Sequence, residues 1–181
     1  MLEHGAGKEK HQAIKDVLAS KNITDADSNE IFQKFKSNLD AEYEALDVGT
    51  FDGINELLRE LKARGIKIAL NTGYNSRIAN LLLKKMNWQL GKEYDTLVTA
   101  DDVVNGRPHP DMIQLCMKNT GITENKSVLK AGDSIIDVEE GKNSNCGITV
   151  GVTTGAQTRA QLETIQPTLI LDNLVEILDH I

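Results

Sequence analysis

A chain of 181 residues is long enough for one sizeable hydrophobic core with a small appendage. Its hydrophobic share of 40% and charged share of 26% are ordinary for a soluble globular protein, and a net charge of -7 leaves no basic footprint for nucleic acid or an anionic membrane. No apolar run approaches the ~18 residues of a membrane span, and the N-terminal stretch lacks a secretory apolar core.

From Lys8 to Lys21, Ala13, Ile14, Val17 and Leu18 recur at helical spacing and predict an amphipathic helix. A second helix is expected to open at Asp27, with Glu30 in the capping-box position and a stripe of Ile31, Phe32, Phe35, Leu39, Tyr43 and Leu46. Gly49 and Gly53 punctuate a connector, after which helix and strand patterns alternate as in a parallel sheet of βαβ units. A helix through Ile54, Leu57, Leu58 and Leu61 stops at Gly65, and a strand from Ile66 to Leu70 runs into Asn71-Thr72-Gly73. Ser76 is expected to cap the next helix, whose apolar face is Ile78, Leu81, Leu82 and Met86, and Thr96 to Thr99 forms the next strand. The loop from Asn105 to Pro110 leads into a helix starting at Pro110 and ending at Gly121. Val128 to Ala131 reads as a strand, and the helix after Ser134 stops near Cys146-Gly147. A strand from Ile148 to Val152, a short helix through Leu162, a strand from Leu169 to Leu171 and a helix from Leu174 to His180 complete the pattern.

The chemistry gathers at Val128 to Asp137, where an apolar run ends in Gly-Asp-Ser and a second carboxylate follows Asp133 at i+4. If Ser134 opens a helix, Asp133 and Asp137 face one spot at the carboxyl end of a strand, the ligand-binding edge of an open α/β sheet. Two hard oxygen ligands there suit Mg²⁺ shared with a substrate phosphate; the plainer reading makes Asp133 an N-cap and Asp137 a partner of the helix dipole. Thr72 offers a hydroxyl beside backbone amides, and Arg107, on a Gly-Arg-Pro turn, offers a planar fork for phosphate. Taken singly each has an innocent reading, but together at successive strand ends they describe a phosphoryl-transfer site. Cys116 and Cys146 match no metal or redox spacing and read as free thiols in a reducing cytoplasm, and four scattered histidines disfavour zinc.

These residues resemble the haloacid dehalogenase (HAD) superfamily of Mg²⁺-dependent hydrolases. LNTGY is similar to its second motif, with Thr72 and Gly73 binding phosphate, GRPHPD to the segment supplying the third motif's basic residue, Arg107, and GDSIIDVEEGKNSNCGITVGV to the acidic fourth motif, with Asp133 and Asp137 at the metal. The likeness runs from about Gly53 onward. It implies an α/β fold, a Rossmann-like parallel sheet with helices on both faces, as residues 49–181, and a partial helical cap as residues 1–48. Lys130 before Ala131-Gly132-Asp133 and the leading helices resemble the phosphonoacetaldehyde hydrolase and phosphonatase-like branch. Gly5-Ala6-Gly7-Lys8-Glu9-Lys10-His11 is similar to the cap loop whose lysine forms a Schiff base, a role that would fall to Lys8; the alternative leaves Lys8 solvated on a helix's first turn. The implied substrate is a small phosphorylated or phosphonate metabolite, with neither nucleic acid nor membrane as partner and a homodimer among the expected states.

One departure stands out. The family's first motif, an apolar strand ending in Asp-x-Asp-Gly-Thr, has no counterpart; Thr50-Phe51-Asp52-Gly53-Ile54 has Thr50 in the nucleophile's place and resembles the connector from cap to core. The motif would lie upstream of Met1. The chain is therefore expected to lack the central strand, which belongs between those ending at Thr72 and Asp133, and to be inactive by aspartyl-phosphate chemistry. Those two strands would then pair directly, or another chain would fill the space. The alternative function is a non-catalytic fragment that binds a phosphorylated ligand or a partner chain.

Overall fold

A computed structural model describes residues 10–23 and 25–181. The chain divides into two compact units, Met1–Asp47 and Val48–Ile181.

In the first unit, α1 (Lys10–Ser20) packs on α2 (Ser28–Ala45). Asp27 caps α2 by accepting from the Asn29 amide at 2.7 Å, and the expected capping box with Glu30 does not form. The stripe is real but open: Ile31, Phe35 and Leu39 remain 38–39% exposed, and no residue of α2 is buried. The two described helices by themselves present too little surface to close a core around such a stripe.

The second unit opens with α3 (Ile54–Ala63), which ends ahead of Gly65 at φ 77°, the left-handed position expected of a helix terminator. Strand β1 (Ala69–Asn71) pairs in parallel with β2 (Thr96–Val98), Leu70 opposite Leu97. It begins later than the apolar run suggests, because the Ile68 amide and carbonyl bond to Asp95 instead of a strand. Helix α4 (Ser76–Lys85) follows β1; its cap is Asn75, not Ser76, since Asn75 Oδ1 accepts from the Ile78 amide while Ser76 turns to Asp101. Helix α5 (Asp111–Thr120) starts one residue after Pro110 and ends at Gly121, φ 73°. Strands β3 (Leu129–Gly132), β4 (Ile148–Val152) and β5 (Leu169–Leu171) form a second parallel sheet in that order, with α6 (Ile135–Asn143) between β3 and β4 and α7 (Arg159–Glu163) between β4 and β5. The last helix is a 3-10 turn, Leu174–Asp179.

Every expected strand is present, yet the sheet is in two pieces. Direct pairing of β1 with β3, one of the two ways of closing the space between them, does not occur. Polar side chains span it instead: Lys130 on β3 donates to Asn71 Oδ1 on β1 at 2.7 Å. What covers both sheets is α3, with Leu57 packed among Val150, Val152, Leu171 and Ile177 and the neighbouring Leu58 among Ile68, Leu83 and Tyr94. Burying each leucine is worth about 1.5–3 kcal/mol, so one turn of α3 contributes several kcal/mol to holding the two sheets under one helix. Cys116 and Cys146 are both free and buried; burial pushes the Cys116 thiol up to about 12, marking it as a packing residue. Among the described residues no helix is long and apolar enough to cross a membrane.

Candidate phosphate and metal site

The expected strand-turn-helix at Val128 to Asp137 forms as β3 and α6, and the turn shows what each carboxylate does. Ser134, not Asp133, caps α6: its Oγ accepts from the Asp137 amide and donates to Asp137 Oδ2 at 2.6 Å. Relieved of capping, Asp133 at the strand's carboxyl end accepts from the Ala156 amide through Oδ2 at 2.6 Å, and no described residue bonds its Oδ1. The loop after β4 closes tightly on it, since a Cβ on Gly155 would lie 2.0 Å from that same Oδ2.

Asp137 is placed differently. It is 3% exposed, and its Oδ1 meets Arg107 Nη1 at 2.5 Å and Lys130 Nζ at 3.4 Å. Burial by itself would raise this carboxyl; the Lys130 charge, the Ser134 hydroxyl and Arg107 outweigh it and hold the group below the usual aspartate range. The first turn of α6 is therefore anchored between two cations.

Arg107 reaches this carboxylate from the loop between β2 and α5, and the rest of its fork lies against β1's exit. A Cβ on Gly73 would stand 2.8 Å from Arg107 Nη2, so the absence of a side chain at Gly73 lets the guanidinium lie on the Thr72-Gly73 backbone. Thr72 Oγ1 accepts from the Tyr74 amide at 3.2 Å, which fixes the turn. The structure thus brings Arg107 against both Gly73 and Asp137, with Thr72 next to Gly73 at the exit of β1 and Asp133 four residues before Asp137. Lys8 lies outside the described residues.

A cavity of about 320 Å³ opens beside Asp133, lined by Phe51, Ile54, Met86, Trp88, Ala131 and Gly132 among others. It is apolar and does not include Thr72, Arg107 or Asp137, so the cation and hydroxyl constellation lies outside it. Asp52, in the string that imitates a nucleophile motif, is exposed in the turn leading into α3.

Of the two carboxylates expected at a metal, Asp133 keeps Oδ1 unbonded among the described residues, whereas Asp137 has Oδ1 on Arg107 and Lys130 and Oδ2 on Ser134. No three His, Cys, Asp or Glu side chains converge among the described residues. Magnesium accepts one or two protein carboxylates and completes its shell with water and phosphate oxygens, so the open oxygen of Asp133 fits that ion, and a protein-caged metal would need more ligands than these.

The family model for haloacid dehalogenase-like hydrolases matches residues 3–166. The chain belongs to this family. A phosphonoacetaldehyde hydrolase from Bacillus cereus is 36% identical over 136 residues, covering 74% of this chain and 49% of its own; the chain spans about half the length of the curated relatives it matches. The fold is that of solved family structures. A phosphonoacetaldehyde hydrolase-like protein from Oleispira antarctica superposes with a TM-score of 0.73 at 21% identity, covering 94% of this chain and 74% of that one. A hydrolase from Pseudomonas syringae gives 0.74 at 21%, covering 99% and 80%.

Sequence reasoning passed over a second layer behind these residues. Lys130, 6% exposed, pairs with the fully buried Glu140 at 2.9 Å, and Asn71 donates to both Glu140 oxygens at 2.8 and 2.9 Å. A signal was available: a lysine inside a buried apolar run needs a buried partner, and Glu140 falls at i+3 from Asp137, on the same helix face.

Proposed function

We propose that this chain carries the phosphate- and magnesium-holding part of a phosphatase- or phosphonatase-type hydrolase site for a small phosphorylated or phosphonate metabolite. The observation that carries the reading is the Arg107 fork, with one arm on Asp137 and the other against the Thr72-Gly73 turn. A phosphoryl group seated at that turn would meet the Thr72 hydroxyl, the Gly73 backbone and the free arm of Arg107, a charge-assisted and geometrically specific clamp. Asp133, through its unengaged oxygen, would hold Mg²⁺, and Asp137, whose oxygens are engaged by Arg107, Lys130 and Ser134, would join it as the second carboxylate by giving up the Ser134 bond. The ion would supply positive charge to the phosphoryl oxygens.

The sequence has no apolar strand ending in Asp-x-Asp, and Thr50 stands where the nearest imitation would need its nucleophile. This favours a second reading, in which the polypeptide binds a phosphorylated ligand or a partner chain without turning over. Calorimetry with Mg²⁺ and inorganic phosphate tests the shared part: binding in the millimolar range is expected, weakened by Arg107→Ala and Asp133→Ala. Assay with p-nitrophenyl phosphate separates the two readings. No turnover is expected, and Mg²⁺-dependent release abolished by Asp133→Ala would falsify the inactive state.

For a phosphonate substrate, Lys8 is the proposed imine-forming amine. An imine there would turn the leaving carbon into an electron sink. Borohydride trapping with phosphonoacetaldehyde tests this, and an unlabelled Lys8 removes the imine chemistry while leaving the phosphate clamp standing.

A further inference from the structure

Thr72 and Arg107 must keep a fixed spacing to share one anion, and main-chain bonds set it only as far as Ala100: the Thr72 amide donates to Val98 and the Ala100 amide to Tyr74, seven residues short of Arg107. Thr72 leaves β1, which pairs only with β2, while Arg107 is anchored to Asp137 on α6, which follows β3 in the other sheet. One ammonium touches both sides. Lys130 Nζ donates to Asn71 Oδ1 at 2.7 Å, on the residue before Thr72, and stands 3.4 Å from Asp137 Oδ1, the oxygen that holds Arg107. Its remaining partner is Glu140 Oε2 at 2.9 Å, so the three donors of the ammonium are all directed.

Glu140 makes the arrangement rigid. Its carboxylate takes Lys130 and both bonds from the Asn71 amide, so the β1 arm is closed as a ring of three side chains rather than hung on a single bond. The charged pair is dry, the Lys130 and Glu140 side chains being 7% and 0% exposed, where such bonds are strong and a stranded charge is costly. Arg107, by contrast, is 26% exposed and holds Asp137 by one arm, so its second arm is available to a ligand. Two cations on Asp137 have separate tasks: Lys130 holds the carboxylate, and the carboxylate aims Arg107.

We propose that Lys130 is the positioning residue of the anion seat: through Asn71 and Asp137 it sets the distance between the Thr72-Gly73 turn and the Arg107 fork across two sheets that do not pair. This rests on the phosphate clamp proposed above. It assigns no contact between Lys130 and the ligand.

The test uses the full chain and inorganic phosphate, with calorimetry for affinity and the Arg107 Nε resonance by nitrogen-15 NMR for fork geometry. Lys130→Met/Glu140→Leu removes the pair without stranding either charge and is expected to melt within about 4 °C of the parent. Its phosphate affinity is expected to fall about tenfold or more, with the Arg107 signal moved before any phosphate is added. A purely structural pair would move the melting temperature and leave both other readouts alone. Parent-like affinity in the double variant, with Arg107→Ala still abolishing binding, overturns the positioning role and spares the clamp. No binding by the parent chain at about 20 mM phosphate overturns both. Should the double variant not fold, Asn71→Ala cuts the β1 arm alone at a partly exposed site, and unchanged phosphate affinity there overturns the inference.

Discussion

Gly73 and Asp137 show how much of the site depends on single atoms. An alanine at Gly73 puts a methyl 2.8 Å from the mobile end of Arg107, at an exposed position without positive φ, so the guanidinium yields and the backbone does not. Gly73→Ala is expected to keep stability within about 0.5 kcal/mol of the parent while phosphate affinity drops about tenfold, the worth of one charge-assisted bond. Parallel melting and calorimetry check both halves. Asp137 adds a pH dependence. Its folded carboxyl titrates below the ordinary aspartate range, so its stabilising contribution is complete above the unfolded value, about 4, and is lost as pH falls through the lower folded one. The stability gap between the parent and Asp137→Asn, measured by urea denaturation, is expected to be widest at neutral pH and to narrow below about pH 4. A gap that stays constant to pH 3 assigns the acid sensitivity to other carboxylates.

Among the elements, the contact of α6 with β3 and β4 is set by Gly141. Its added Cβ would meet Thr149 Cγ2 at 2.8 Å and Lys130 Cβ at 2.9 Å, neither of them the far end of a flexible chain. Alanine gains about 1 kcal/mol of helix propensity over glycine, but overpacking costs about 1–3 kcal/mol, so Gly141→Ala is expected to lose about 1 kcal/mol net in urea titration. Most elements were legible in the sequence because their punctuation is local: Gly65 and Gly121 end helices where expected, and α6 opens at the Gly-Asp-Ser turn. Two boundaries fall elsewhere. Asn75 took the cap that Ser76 was expected to provide, since Asp101, distant in sequence, claimed Ser76. Pro110, expected inside its helix, stands just before it.

At the scale of the molecule, the two units differ in how much they bury. The first has no buried residue among those described with side chains, whereas α3, β4 and α6 supply fully buried positions such as Leu57, Val150, Val138 and Glu140. Amides of α1 and α2 are therefore expected to exchange with solvent far faster than those of β4. Hydrogen exchange read by mass spectrometry checks this, and equal protection in both units would show that the exposed stripe of Ile31, Phe35 and Leu39 is covered in solution.

The sequence by itself determined the βαβ grammar and the family likeness, and singled out Thr72, Arg107, Asp133 and Asp137 for the proposed site, because periodicity, turn chemistry and motif spacing are carried by neighbours along the chain. Only the tertiary structure decided that the strands separate into two sheets, and that Asp133 faces the loop after β4 while Asp137 is fixed between two cations. It alone joined Asn71, Lys130 and Glu140, up to 69 residues apart, into one buried bridge. Charge pairing in a dry interior depends on which side chains meet in space, and a single sequence does not encode those meetings locally.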